Sequence, residues 1–247
     1  MQPSFVINNP SPGSTPTDLL ACKTRTFYRH LHQSHKPPVL AVDRWKQLLQ
    51  PTLVFNAKQW RPLYSPLVTN KQGDLIWKIE HRVLPTALSL NRMTVYDSPD
   101  CHRCGETDAI EHALLKCPTV VTFWRKIELL LNKISNNNLP VPDSLKLLGK
   151  IPCENNPFSK QHTDLINWTL TIARYAIHKS AVYHRVHQTT ISPEAIFAAA
   201  VKSHLQFQFK LYSARQMQFY FPYDWCLGEA LAKKIENDKI VFTFDCT

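Results

Sequence analysis

"SPDCHRCGETDAIEHALLKCP", residues 98–118, carries Cys101, Cys104, His112 and Cys117 in the spacing C-x2-C-x7-H-x4-C. A C-x-x-C turn lets two thiolates reach one Zn2+ at about 2.3 Å. "GETDAIEHALLKC" then reads as a turn into a helix, with Asp108 as its cap and Glu111 at the third position of a capping box. His112 projects from the first turns, and Cys117 falls where Pro118 breaks the helix. Three sulfurs and one imidazole nitrogen make a closed shell, the structural type of zinc site, with no position left for water. The competing reading is four unrelated residues with Cys117 an ordinary buried thiol. His102 is a weak rival ligand, because it directly follows Cys101 and neighbouring residues chelate one ion poorly. Seven residues separate Cys104 from His112, against four in retroviral-type knuckles, and a C2H2 finger ends in two histidines. Cys22, Cys153, Cys226 and Cys246 stand apart and read as ordinary thiols.

On either side of this stretch the pattern is helical. Upstream, "VDRWKQLLQP" predicts a short helix with Asp43 as N-cap and Pro51 past its end. "NAKQWRPLY" predicts another, capped by Asn56. In "GDLIWKIEHRVLPTALSLNRM", Leu75, Ile79 and Val83 share one face with Ile76 beside them; Pro85 stops that helix and Thr86 caps the next. Downstream, Phe123, Ile127, Leu130, Leu131 and Ile134 recur at helical spacing after Pro118. "SNNNLPVPDS" is the best linker candidate. A long helical pattern from Thr163 follows, then one opened by Ser192 as N-cap and Pro193 at N1, with Phe197, Val201, Leu205, Phe209 and Tyr212 as its stripe. "KIVFTFD" alternates and predicts a strand, half of a terminal hairpin. The expected fold is mainly α: short helices around a Cys3His knuckle, then a helical C-terminal region with a small hairpin. The expected organisation is a flexible lead over 1–25, a zinc-binding region over 26–134, a linker over 135–160 and a basic helical region over 161–247.

Composition narrows the chemistry. The 247 residues include five glycines and eighteen prolines, and neither G-x-x-x-x-G-K nor G-x-G-x-x-G occurs, so a phosphate-cradling loop is not expected. The formal net charge is +10. Before Asp74 the only acidic residues are Asp18 and Asp43, against nine Lys or Arg, a surface that attracts polyanions. The polar, proline-rich start lacks a signal-peptide core and no apolar run approaches a membrane span. These features predict an intracellular protein, nuclear or cytoplasmic, without a membrane partner or a small-molecule substrate.

The stretch from Asp74 to Trp124 also resembles the zinc-binding region that follows the reverse transcriptase in non-LTR, LINE-type retrotransposons. The resemblance rests on Trp77, His81, Leu84 to Thr86, Ser98 to Gly105, Glu106 and Thr107, Glu111 and His112, Cys117 and Trp124. It is close over about residues 26–130, and "YDWCLGEALAKK" is similar to the ends of Tx1-branch elements. The resemblance implies nucleic-acid binding, RNA ahead of DNA, and the remainder of a retroelement reverse transcriptase as a second partner. It does not imply polymerase activity: that needs an adjacent pair of carboxylates holding two metals, and no two acidic residues are adjacent here. The expectation is a non-catalytic C-terminal portion of such a polyprotein. A host-retained protein-interaction module and an inert relic are the alternatives.

The expected metal ligands are Cys101, Cys104, His112 and Cys117, holding one structural zinc. Expected nucleic-acid contacts are Arg25, Arg29, Lys36, Arg44 and Lys46, together with Arg174, His178 and Arg185, which share one helical face. Trp77, His81 and Trp124 are expected to be structural, the tryptophans as core anchors. The aromatic run "FQFKLYSARQMQFYFPYDW" is expected to pack in the core in preference to forming a base platform.

Overall fold

Proline and capping residues divide the chain much as expected. The computed structural model describes residues 6–7, 17–18, 40–49, 67–136, 139–149, 159–234 and 240–243. The chain divides into two compact units, Met1–Arg44 and Trp45–Thr247. In the first, strands β1 (Val6–Ile7) and β2 (Thr17–Asp18) pair antiparallel, Val6 opposite Asp18. The division falls within helix α1 (Leu40–Leu48). Asp43 lies inside the first turn of α1 and is not its cap, because the helix starts at Leu40, three residues before it. "NAKQWRPLY" and Trp60 lie outside the described residues.

The second unit is built on consecutive helices. In α2 (Asn70–Glu80), Thr69 accepts from the Gln72 amide while the Gln72 side chain accepts from the Thr69 amide, a capping box that satisfies two end N–H groups. Leu75, Ile76 and Ile79 are buried. Val83, placed on that face by its spacing, is exposed: α2 ends at Glu80, and Arg82 turns the chain with a positive φ of 57°. Thr86 caps α3 (Ala87–Arg92), as expected. The knuckle segment follows, and Pro118 then opens α4 (Pro118–Ile134) at its first position, where a missing N–H costs nothing.

Helix α4 buries Val120, Phe123, Trp124, Ile127, Leu130, Leu131 and Ile134. Each such side chain contributes about 1.5–3 kcal/mol on burial. Trp124 also donates its indole N–H to the Leu114 carbonyl at 2.7 Å, joining α4 to the knuckle. The stretch expected to be a linker carries helix α5 (Asp143–Leu148), whose Leu145, Leu147 and Leu148 are buried in the same core. Helices α6 (Lys160–His187) and α7 (Pro193–Ala214) pack on each other. Ser159 caps α6; Ser192 caps α7, with Pro193 in the first turn. Phe197, Val201 and Leu205 of α7 are buried; Phe209 and Tyr212 pack partly buried against that core.

A short 3-10 turn (Gln218–Tyr220), helix α8 (Phe221–Trp225) and a second turn (Leu227–Glu229) lead to strands β3 (Ala232–Lys234) and β4 (Ile240–Phe242). β3 and β4 form the expected antiparallel hairpin, Ala232 opposite Phe242. The fold is therefore mainly α around the Cys/His knuckle. One continuous core runs from Trp45 to Ala232, so the zinc segment and the C-terminal helices share one compact unit. Among the described residues no helix is long and apolar enough to cross a membrane.

Candidate metal centre

The four ligand atoms of Cys101, Cys104, His112 and Cys117 lie within 4.8 Å of one another. The Cys101 and Cys117 sulfurs are 3.9 Å apart, as are those of Cys117 and Cys104, and the Cys104 sulfur is 3.2 Å from His112 Nε2. A tetrahedral zinc with Zn–S of about 2.3 Å requires sulfurs about 3.8 Å apart. The donor set therefore fits one Zn2+ and closes its shell. His102 takes no part: its ring stacks on His184 at 4.2 Å between centroids.

Local backbone explains the spacing. Cys101 and Cys104 sit on a turn closed by Cys104 N–H and Gly105 N–H donating to the Cys101 carbonyl, at 3.3 and 2.8 Å. Gly105 adopts φ of 80°, which a residue with a Cβ avoids. His112 and Cys117 are five apart, about 140° around an α-helix. Residues His112–Lys116 instead form a turn of π-helix, and the Cys117 N–H donates to the His112 carbonyl at 3.0 Å. That wider turn brings positions five apart closer together around the axis than an α-turn does, so both reach one ion. The segment was expected to be an α-helix, and the difference is what makes H-x4-C a ligand pair.

Two further features tune the ligands. His112 Nδ1 lies 3.2 Å from Glu106 Oε2 while Nε2 faces the sulfurs. A carboxylate on the far nitrogen fixes the tautomer that leaves Nε2 free to ligate. The Cys117 thiol is held down by the hydrogen bond from the Cys101 thiol, with the amides of Val120 and Thr119 at the start of α4 adding to it. The Cys101 thiol is pushed up by the same bond and by burial. The start of α4 thus favours the thiolate form of Cys117, the form that ligates metal. Glu106→Gln is expected to weaken zinc affinity by about tenfold, read by competition with a chromogenic chelator; unchanged affinity would remove Glu106 from the site.

The surroundings tie the knuckle to the helices. Arg103, between the first two cysteines, donates to the Ile177 carbonyl of α6 at 2.8 Å. Asp108 does not cap its own helix: it accepts from the Ala87 amide at 2.8 Å and faces Arg185 Nη1 at 3.9 Å. The N-terminus of α3, with its free N–H groups, is the stronger attractor for that carboxylate. Glu111 pairs with Arg82 at 2.5 Å, and the Arg82 guanidinium lies 4.4 Å over the Trp45 ring.

Arg174, His178 and Arg185 do share one face of α6, but it points inward. Arg174 is 1% exposed and donates to the Lys146 and Leu147 carbonyls at 3.3 and 3.4 Å. Arg185 donates to the Pro85 carbonyl at 3.1 Å. His178 is lowered to about 4, chiefly by burial and further by Arg185, Lys78 and Arg103, so it is neutral at pH 7. None of the three presents charge to a polyanion. Arg44 is exposed and Lys46 half-buried, whereas Arg25, Arg29 and Lys36 lie outside the described residues. Trp124 is a core anchor, as expected, but Trp77 is 43% exposed, its ring 4.5 Å from that of His81. Sequence reasoning missed Glu106 and Arg103 as supports. Their only signal was position: a carboxylate six residues before the ligand histidine, and a cation inside the C-x-x-C turn.

Comparison with known families places this geometry. Residues 23–124 match the family described as zinc-binding in reverse transcriptase. This part of the chain is similar to reverse-transcriptase zinc-binding regions. Over 152 residues the chain is 29% identical to the Transposon TX1 uncharacterized 149 kDa protein of Xenopus laevis. That alignment covers 61% of this chain and 11% of the relative, so the chain corresponds to a small part of that protein's length. The two matches support a Tx1-like non-LTR retrotransposon region around the reverse-transcriptase zinc-binding cluster. No solved structure matches the chain.

Proposed function

We propose that the chain is a non-catalytic, nucleic-acid-binding portion of a non-LTR retrotransposon reverse transcriptase, with RNA as its preferred partner. The observation that carries this reading is the closed Cys3His cluster inside a region similar to the reverse-transcriptase zinc-binding family. With three sulfurs and one nitrogen the ion keeps no open position, so it staples structure and activates no water. When bound, zinc supplies the cross-link between the C-x-x-C turn and the start of α4. Arg103 and Trp124 pass that constraint to α6 and the knuckle backbone.

Phosphate contact falls to the basic N-terminal stretch, with Arg25, Arg29, Lys36, Arg44 and Lys46 as the contacting cations. Asp18 and Asp43 are the only acids before Asp74, and the whole chain carries +10. Such contacts give affinity with little sequence choice. The setting is an intracellular ribonucleoprotein that includes the rest of the reverse transcriptase. Five phosphate contacts to a single strand correspond to about a hundredfold loss of affinity between about 50 and 200 mM salt. Titrating labelled RNA and duplex DNA at both salts tests this. Negligible or salt-independent binding to both would overturn it.

A further inference from the structure

The chain beyond α7 separates its aromatic residues by face. Phe221 and Trp225 of α8 are buried, Phe221 edge-on against Phe209 at 5.3 Å and Tyr212 at 5.7 Å, Trp225 edge-on against Trp168 at 5.3 Å. Those two positions lie four apart on one side of the helix. Tyr223 on the other side of α8, and Phe219 and Tyr220 in the 3-10 turn before it, are exposed by 71%, 59% and 47%. The Phe219 and Tyr220 rings lie 4.1 Å apart with planes tilted by 38°. The core thus takes part of this aromatic run and leaves three of its rings within five residues uncovered, where core packing was expected throughout.

The stretch of chain that leads to these rings is basic. No acidic residue occurs between Glu194 and Asp224, and the nearer, Asp224, accepts the Tyr212 hydroxyl at 2.5 Å. Lys202 and Lys210 are exposed on α7, and exposed Arg215 follows at its end. Exposed Gln216 and Gln218 flank the rings, offering amides that both donate and accept. An apolar partner helix would leave these cations and amides unmatched, and burying the glutamine amides in lipid would cost their hydrogen bonds to water.

We propose that Phe219, Tyr220 and Tyr223, with Lys210 and Arg215, form a stacking platform for an unpaired nucleic-acid strand. Bases lie on the rings and the cations meet the phosphates beside them. Every base has a π-face, so such a platform is tolerant of sequence, and it rejects a duplex whose bases are already stacked. This rests on the nucleic-acid reading above and adds to it a separate base-contacting surface at the opposite end of the chain from the basic N-terminal stretch.

The test uses the full zinc-loaded chain and a Phe219→Ala/Tyr223→Ala variant. Both substituted rings are exposed, so unchanged zinc content and melting temperature serve as the check on folding. The probes are a labelled oligouridylate of about 12 nucleotides, a site size typical of such strands, and an abasic phosphodiester chain of the same length. The variant is expected to bind oligouridylate at least about tenfold more weakly and the abasic chain as well as the parent does. Equal loss on both probes, or no loss on oligouridylate, overturns the platform while leaving the nucleic-acid reading intact. A parent chain that binds neither probe overturns both. Loss of binding to phosphatidylcholine/phosphatidylserine vesicles with oligouridylate binding unaffected would assign the rings to a membrane surface instead.

Discussion

Cys104→Ser is expected to remove the zinc from the chain and to loosen both segments that the ion joins. Cys104 is the exposed member of the cluster, whereas Cys101, Cys117 and His112 are buried. Its loss opens no cavity in the core, and any large effect belongs to the metal. Structural zinc contributes apparent binding energies of about 10–16 kcal/mol in finger peptides. Even a minor part of that would lower the melting temperature by more than about 10 °C for a domain of this size. Elemental analysis should fall from one zinc per chain to none. Retained stoichiometric zinc would refute the ligand set, and lost zinc with unchanged melting would refute the stapling role. Acid should act in the same direction, because the ion competes with protons for its thiolates and imidazole, so affinity falls as pH falls.

Arg174→Ala is expected to destabilise the fold by at least about 2 kcal/mol, because each buried acceptor left without its donor costs about 1–3 kcal/mol. The guanidinium is fully buried, and burial lowers it to about 10, with Glu80 opposing that shift; at pH 7 it keeps its charge. It donates to the carbonyls of Lys146 and Leu147 at the end of α5 and to Thr171 Oγ1 at 3.2 Å. Those carbonyls are among the groups a helix end leaves without internal partners. Gly149 follows with φ of 63°, and a Cβ there would overlap the guanidinium. Arg174→Lys keeps the charge but loses the fork that reaches several acceptors at once, so it should recover only part of the loss. Denaturant unfolding measures all of these. An Arg174→Ala variant within about 1 kcal/mol of the parent, the range of an ordinary substitution, would show that α5 is held by its leucines alone.

The same arginine marks where the sequence stops being readable. Its spacing with His178 and Arg185 correctly predicted a shared face, since helical periodicity fixes which residues align. It did not fix which way that face points. Much of α6 is apolar around its circumference early on, and an arginine stem packs readily in a core when its head finds carbonyls. Those carbonyls come from α5, which lies in the stretch whose asparagines and prolines suggested a linker. Caps were legible at Thr86 and Ser192 because each requires only a hydroxyl and a few following residues. The α4 stripe was legible because seventeen residues carry one consistent period.

The candidate site divides along the same line. The four ligands could be named because zinc demands particular atoms at particular spacings. The π-turn that brings His112 and Cys117 together could not, since no composition distinguishes it from an α-turn. The exposed part of the aromatic run from Phe207 to Trp225 was hidden for a related reason: composition identifies rings, and only packing decides which of them are covered.

X-ray absorption at the zinc edge of the purified chain tests the central claim most directly. The account predicts a four-coordinate ion with three sulfurs at about 2.3 Å and one nitrogen at about 2.0 Å, and no oxygen. An oxygen in the first shell, or fewer than three sulfurs, would mean an open site and would contradict a purely structural zinc.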